Sequence, residues 1–186
     1  MNDPKRKQIV DALVDAATGD KGTRAAYQKA LGSLAMNFSL LHFQLEMFSW
    51  DVFDVDHQTG QILTKDLPTS KLIEKLQSCC KRRAIPPEQR IQLSKLLDHI
   101  KKAAEERNEL LHNLWFIDEG QAAFCYNRVR GKGKVHLAPT VSDISEFARS
   151  LEVLFIKLVD FKDRASIRIP SFAAEGHPES IIPRRS

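Results

Sequence analysis

The sequence predicts a mainly α protein, an antiparallel helical bundle with a small appended β-hairpin. Three observations carry that expectation. Apolar side chains recur every three or four residues along three long segments. The one stretch that changes to strand-like residues is short and contains a glycine-bearing turn. No internal repeat or succession of alternating strands points to a sheet-centred fold. A chain of 186 residues can enclose one core without covalent staples, and 42% hydrophobic with 28% charged residues is an ordinary globular composition.

Each element follows from its own signals. Asp3-Pro4 opens a segment with Ile9, Val10, Leu13, Val14 and Ala17 at helical spacing, and Gly19-Asp20-Lys21-Gly22 closes it, so residues 1–22 read as a helix and linker. From Thr23, the positions Leu31, Leu34, Phe38, Leu41, Leu45, Phe48 and Val52 predict a central helix of about thirty residues. Asp54 to Gly60 reads as a loop. Pro68-Thr69-Ser70 offers a cap ahead of Leu72, Ile73, Leu76 and Cys80 on the next helix.

Pro86-Pro87 breaks the chain, and Pro87-Glu88 opens a long helix with Leu93, Leu96, Leu97, Ile100, Ala104, Leu111 and Leu114 on one face. Ala122 to Val129 and Lys134 to Leu137 flank Arg130-Gly131-Lys132-Gly133, which predicts the hairpin at about residues 121–138. Thr140-Val141-Ser142-Asp143 caps a last helix with Ile144, Phe147, Leu151, Leu154, Phe155, Leu158 and Phe161 inward. Residues 23–165 thus form the helical domain, and residues 166–186, with Pro170, Gly176, Pro178 and Pro183, read as a flexible tail.

Several function classes are disfavoured. There is no apolar run of the ~18 residues that a membrane helix needs and no apolar core of a secretory signal, so the expectation is a cytoplasmic protein without a membrane partner. Cys79 and Cys80 are adjacent and Cys125 is distant, a pattern of reduced thiols rather than of metal ligands. Gly131 and Gly133 are not followed by the Lys-Ser or Lys-Thr of a phosphate loop. No cofactor and no metal are therefore expected. The net charge of +4 mildly favours a polyanionic partner, and Arg128, Arg130, Lys132 and Lys134 alternate across the hairpin so that several can project from one side toward RNA.

The most informative segment is Arg107-Asn108-Glu109-Leu110-Leu111-His112. On an ideal helix Arg107 lies about 40° from the centre of the apolar stripe, and His112 is about 140° from Arg107 but one turn beyond Asn108. A guanidinium near the packed side needs a partner. Glu46, set among Phe43, Leu45, Phe48 and Trp50, is costly to bury alone and is the expected one. These residues also have a purely architectural reading, in which Arg107 neutralises Glu46 while Asn108 and His112 satisfy each other.

Helix, loop, helix and then Arg-Asn-Glu-Leu-Leu-His resembles the HEPN superfamily of RNA-associated helical domains over roughly residues 23–160, with Arg107 to His112 the specific part. Where many relatives have a glycine after the histidine, this chain has Asn113. The resemblance implies a homodimer in which two arginine–histidine sets share a cleft. It also implies metal-independent cleavage of RNA, and an antitoxin or other protein partner within a defence or toxin–antitoxin system. Arg107 would hold the scissile phosphate, His112 would move the proton of a ribose 2′-hydroxyl or of the departing oxygen, and Asn108 would fix the imidazole or orient the phosphate. A non-catalytic dimerisation or protein-interaction module is the alternative.

Overall fold

The structure, a computed structural model, describes residues 21–82, 85–112, 114–117, 123–127 and 134–165. It is mainly helical. The helices are α1 (Lys21–Phe53), α2 (His57–Thr64), α3 (Thr69–Arg82), α4 (Pro87–His112) and α5 (Val141–Ala165). Helix α1 is central, as its long stripe predicted: it packs against each of the other four, most extensively against α5. Leu34, Leu41, Leu45 and Phe48 of that stripe are wholly buried against Leu72, Ile73 and Leu76 of α3, Leu93, Leu97 and Ile100 of α4, and Ile144 and Leu151 of α5. Each such side chain contributes about 1.5–3 kcal/mol through removal from water.

The ends of the helices explain their boundaries. Pro87 is the first residue of α4, where its fixed φ and missing N–H cost nothing. Thr140 and Asp143 cap α5 reciprocally: the Asp143 N–H donates to Thr140 Oγ1 over 3.1 Å, and the Thr140 N–H donates to Asp143 Oδ2 over 2.9 Å. Helix α2 corrects the loop expected from residue 54 onward. Asp56 accepts hydrogen bonds from the N–H groups of Gln58 and Thr59 and so nucleates a short helix. An aspartate in the left-handed region stands on each side of α2, Asp54 at φ 58° and Asp66 at φ 59°. Gly60 lies inside this helix because the Trp50 indole covers it so closely that a Cβ would overlap the ring. Trp50 Nε1 donates to Thr64 Oγ1 over 3.1 Å and completes the docking of α2 on α1.

The bundle is not uniformly antiparallel. Phe38 of α1 lies beside Arg107 near the C-terminal end of α4, and Tyr27, near the start of α1, lies beside Trp115 just past that end, so α1 and α4 run in opposite directions. Helix α5 instead runs parallel to α1. Asn37 donates to Ala148 O and Glu152 Oε1, the rings of Phe48 and Phe161 lie 6.1 Å apart, and Lys162 Nζ stands 2.6 Å from Asp51 Oδ2 as an ion pair rather than a directed hydrogen bond. Helix α5 is therefore antiparallel to α4, the helix before it in the chain. Short extended segments β1 (Leu114–Ile117), β2 (Ala123–Asn127) and β3 (Lys134–Leu137) pair antiparallel in that order, Leu114 opposite Tyr126 and Phe124 opposite Leu137. They occupy the connection between α4 and α5.

One helix boundary is corrected here. Leu114 belongs to β1 rather than to α4, because Trp115 Nε1 donates over 2.8 Å to the Leu110 carbonyl and so satisfies one of the open acceptors at the helix end. Of the hairpin expected at about 121–138, β2 and β3 are described and pair antiparallel, β1 joins that pairing, and the turn at 130–133 lies outside the described residues. Residues 1–20, with the predicted first helix, and the tail at 166–186 also lie outside them.

Candidate functional site

Helix α1, the start of α3 and the C-terminal half of α4 enclose a groove of about 510 Å³. Arg107, Asn108 and Glu46, three of the residues singled out from the sequence, line it. Arg107 is half-buried, and its guanidinium lies 4.8 Å from the centre of the Phe38 ring, a cation–π arrangement. Its Nη1 donates to Asn108 Oδ1 over 2.9 Å, while its Nε is buried with no hydrogen-bond partner. Asn108 thereby orients Arg107 rather than His112.

The expected pairing of Arg107 with Glu46 is absent. Among the described residues no carboxylate comes within 4.0 Å of the Arg107 guanidinium. Glu46 is met instead by His42, one turn earlier on the same helix, whose Nε2 lies 3.8 Å from Glu46 Oε1. His42 Nδ1 is 3.0 Å from Thr69 Oγ1 at the start of α3, and its ring stacks on Phe38 at 6.3 Å. Burial holds the imidazole below its ordinary pKa; the Glu46 carboxylate pulls it upward, and the Arg107 cation adds to the downward push.

His42 is not among the residues that the sequence singles out. The signal was present as His42-x-x-x-Glu46 with apolar neighbours at Leu41 and Leu45, which sets both polar groups on one flank of a buried helix. His112 lies in the last turn of α4, is exposed, and does not line the groove. A single chain therefore joins Arg107 with His42, not with His112. Arg128, Arg130 and Lys132 lie outside the described residues, and of Lys134 only the backbone placement in β3 is described.

Other chemistry is thin among the described residues. A second cavity of about 460 Å³ between α3 and α4 includes Cys80 in its wall. Burial, reinforced by Cys79, pushes the Cys80 thiol up to about 11, so it is protonated at neutral pH and is a poor nucleophile. Among the described residues no group of three or more His, Cys, Asp or Glu side chains is arranged to hold a metal ion, and no helix is long and apolar enough to cross a membrane. Comparison with protein-family models, with curated proteins and with solved structures finds no match for this chain, so the groove's own geometry carries the functional argument.

Proposed function

We propose that this chain is a HEPN-like RNA-binding protein that acts as a homodimeric, metal-independent endoribonuclease of a defence or toxin–antitoxin system. The observation that carries the reading is Arg107. Buried polar atoms of an arginine are ordinarily matched by an acceptor, and the Nε of Arg107 is buried without one. Its guanidinium is fixed in place by the Phe38 ring and the Asn108 amide yet has no carboxylate within ion-pairing distance among the described residues. A cation held in position without being neutralised is suited to an external phosphate, to which a guanidinium can present two parallel donors. Because Arg107 and His112 face different ways, the proposed chemistry takes the two residues from two copies meeting at the C-terminal ends of α4.

The deciding experiment is incubation of the purified full chain with a mixed RNA pool in EDTA, with identification of product ends. Cleavage that leaves 2′,3′-cyclic phosphates and is lost in folded Arg107→Ala and His112→Ala proteins is expected. Cleavage retained at the wild-type rate in His112→Ala would remove His112 from the chemistry. Absence of both cleavage and RNA binding by the dimer would end the reading.

A second reading, a non-catalytic dimerisation module, is favoured by a different observation. Met36, Leu40 and Phe43 are 63%, 53% and 47% exposed along the face of α1 opposite its core stripe. Between Lys29 and Glu46 the chain has no Lys, Arg, Asp or Glu. Two copies can therefore bring these faces together without like-charge repulsion.

A further inference from the structure

The groove contains two phenylalanines with different roles. Phe38 is buried and already occupied: the Arg107 guanidinium lies on its ring and the His42 imidazole stacks against it. Phe43 lines the same groove but is 47% exposed. Its recorded ring neighbour, Trp50, meets it at 85° with centroids 6.4 Å apart, so that contact leaves the parallel stacking position over Phe43 unfilled. One groove thus offers an oriented cation, a hydrogen-bonding amide in Asn108 and an open aromatic face.

Those three features match the parts of a nucleotide. A phosphate suits the guanidinium of Arg107, with the Lys101 ammonium and the Ser70 hydroxyl also on the groove wall. Two carboxylates, Glu46 and Glu105, also line the groove. Glu46 faces His42, and neither carboxylate comes within 4.0 Å of the Arg107 guanidinium, which leaves that cation as the favourable point for an anion. A base can stack on an exposed ring only when it is unpaired, because the faces of a paired base are covered by its neighbours in the duplex.

We propose that this groove binds a single unpaired nucleotide, its phosphate on Arg107 and its base on Phe43. The inference deepens the RNA-binding reading, on which it rests, by naming Phe43 as the residue on which an unpaired base stacks.

The test is titration of the full chain with adenosine 3′-monophosphate and, separately, with inorganic phosphate, following affinity by calorimetry and the His42 ring by NMR. Wild type should bind the nucleotide saturably and shift the His42 resonances. Phe43→Leu should weaken the nucleotide about tenfold, the scale of one lost base stack, and leave phosphate binding unchanged. Arg107→Gln should lose both ligands, with Arg107→Lys as the check that the fold tolerates change there. The proposal is overturned if Phe43→Leu leaves nucleotide affinity unchanged, if it alters only self-association, or if the nucleotide does not bind. RNA cleavage by a chain whose nucleotide affinity ignores Phe43 would keep the nuclease and discard this pocket. Phe43-dependent binding by a chain that cleaves no RNA would do the reverse.

Discussion

At the scale of single residues, His42 and Gly60 are the two positions whose surroundings dictate measurable behaviour. Thr69, Phe38, Glu46 and Arg107 all face the His42 ring, and burial is the largest influence on its proton. Folding lowers the pKa, so the unfolded chain binds more protons and stability rises with pH. The contribution is present above the unfolded value of about 6.5 and is lost as pH falls through it toward the lower folded value. His42→Gln should flatten the dependence of melting temperature on pH in that window, which thermal melts of both proteins between neutral and mildly acid pH would reveal. Gly60→Ala sets two terms against each other. Alanine gains about 1 kcal/mol of helix propensity, but the new methyl overlaps the Trp50 indole, and overpacking of this kind costs about 1–3 kcal/mol. The overlap is expected to win, with a melting temperature a few degrees lower; a rise would show that Trp50 moves aside freely. Arg107 shows how far single positions are legible in sequence. Helical phase placed its side chain correctly toward the packed side, but phase on one helix says nothing of which residue on another helix meets it, and Glu46 was already matched by His42.

Among the elements, the four long helices were readable from their apolar periods, and α4 and α5 also from a start signal, Pro87 and the Thr140–Asp143 pair. Helix α2 was not, since its eight residues include a glycine and too few apolar positions to show a period, although Asp56 and Thr59 held its cap. Strand β1 was hidden for the opposite reason. Leu114 falls in phase with Leu111, so the helical pattern seemed to continue past the point where Trp115 closes the helix. Helix α4 is also the element on which the ribonuclease prediction turns. Its last two turns set Arg107 in the groove and His112 outside it, so an Arg107→Ala protein should lose RNA binding and cleavage together, whereas His112→Ala should lose cleavage while still binding. The two losses can be separated by filter binding alongside the cleavage assay.

Across the whole molecule, periodicity revealed which face of each helix is inward but not which helices run side by side, and the parallel course of α5 along α1 appears only in their contacts. The outward face of α1 is a property of the assembly. If the uncharged stripe of Met36, Leu40 and Phe43 joins two copies, Leu40→Glu should shift sedimentation toward the monomer and leave the thermal midpoint of the isolated chain almost unchanged, since Leu40 is 53% exposed. An unaltered sedimentation coefficient would place the copy-to-copy contact elsewhere. The two tryptophans have a practical consequence of their own. Trp115 is packed beside Tyr27 near the start of α1 and Trp50 is clamped over Gly60 near its end, some ~35 Å apart by helix rise. Replacing either one by phenylalanine would leave a single tryptophan at a known pole, so that its emission and quenching would show at which end the protein first loosens under denaturant or tightens when a ligand arrives.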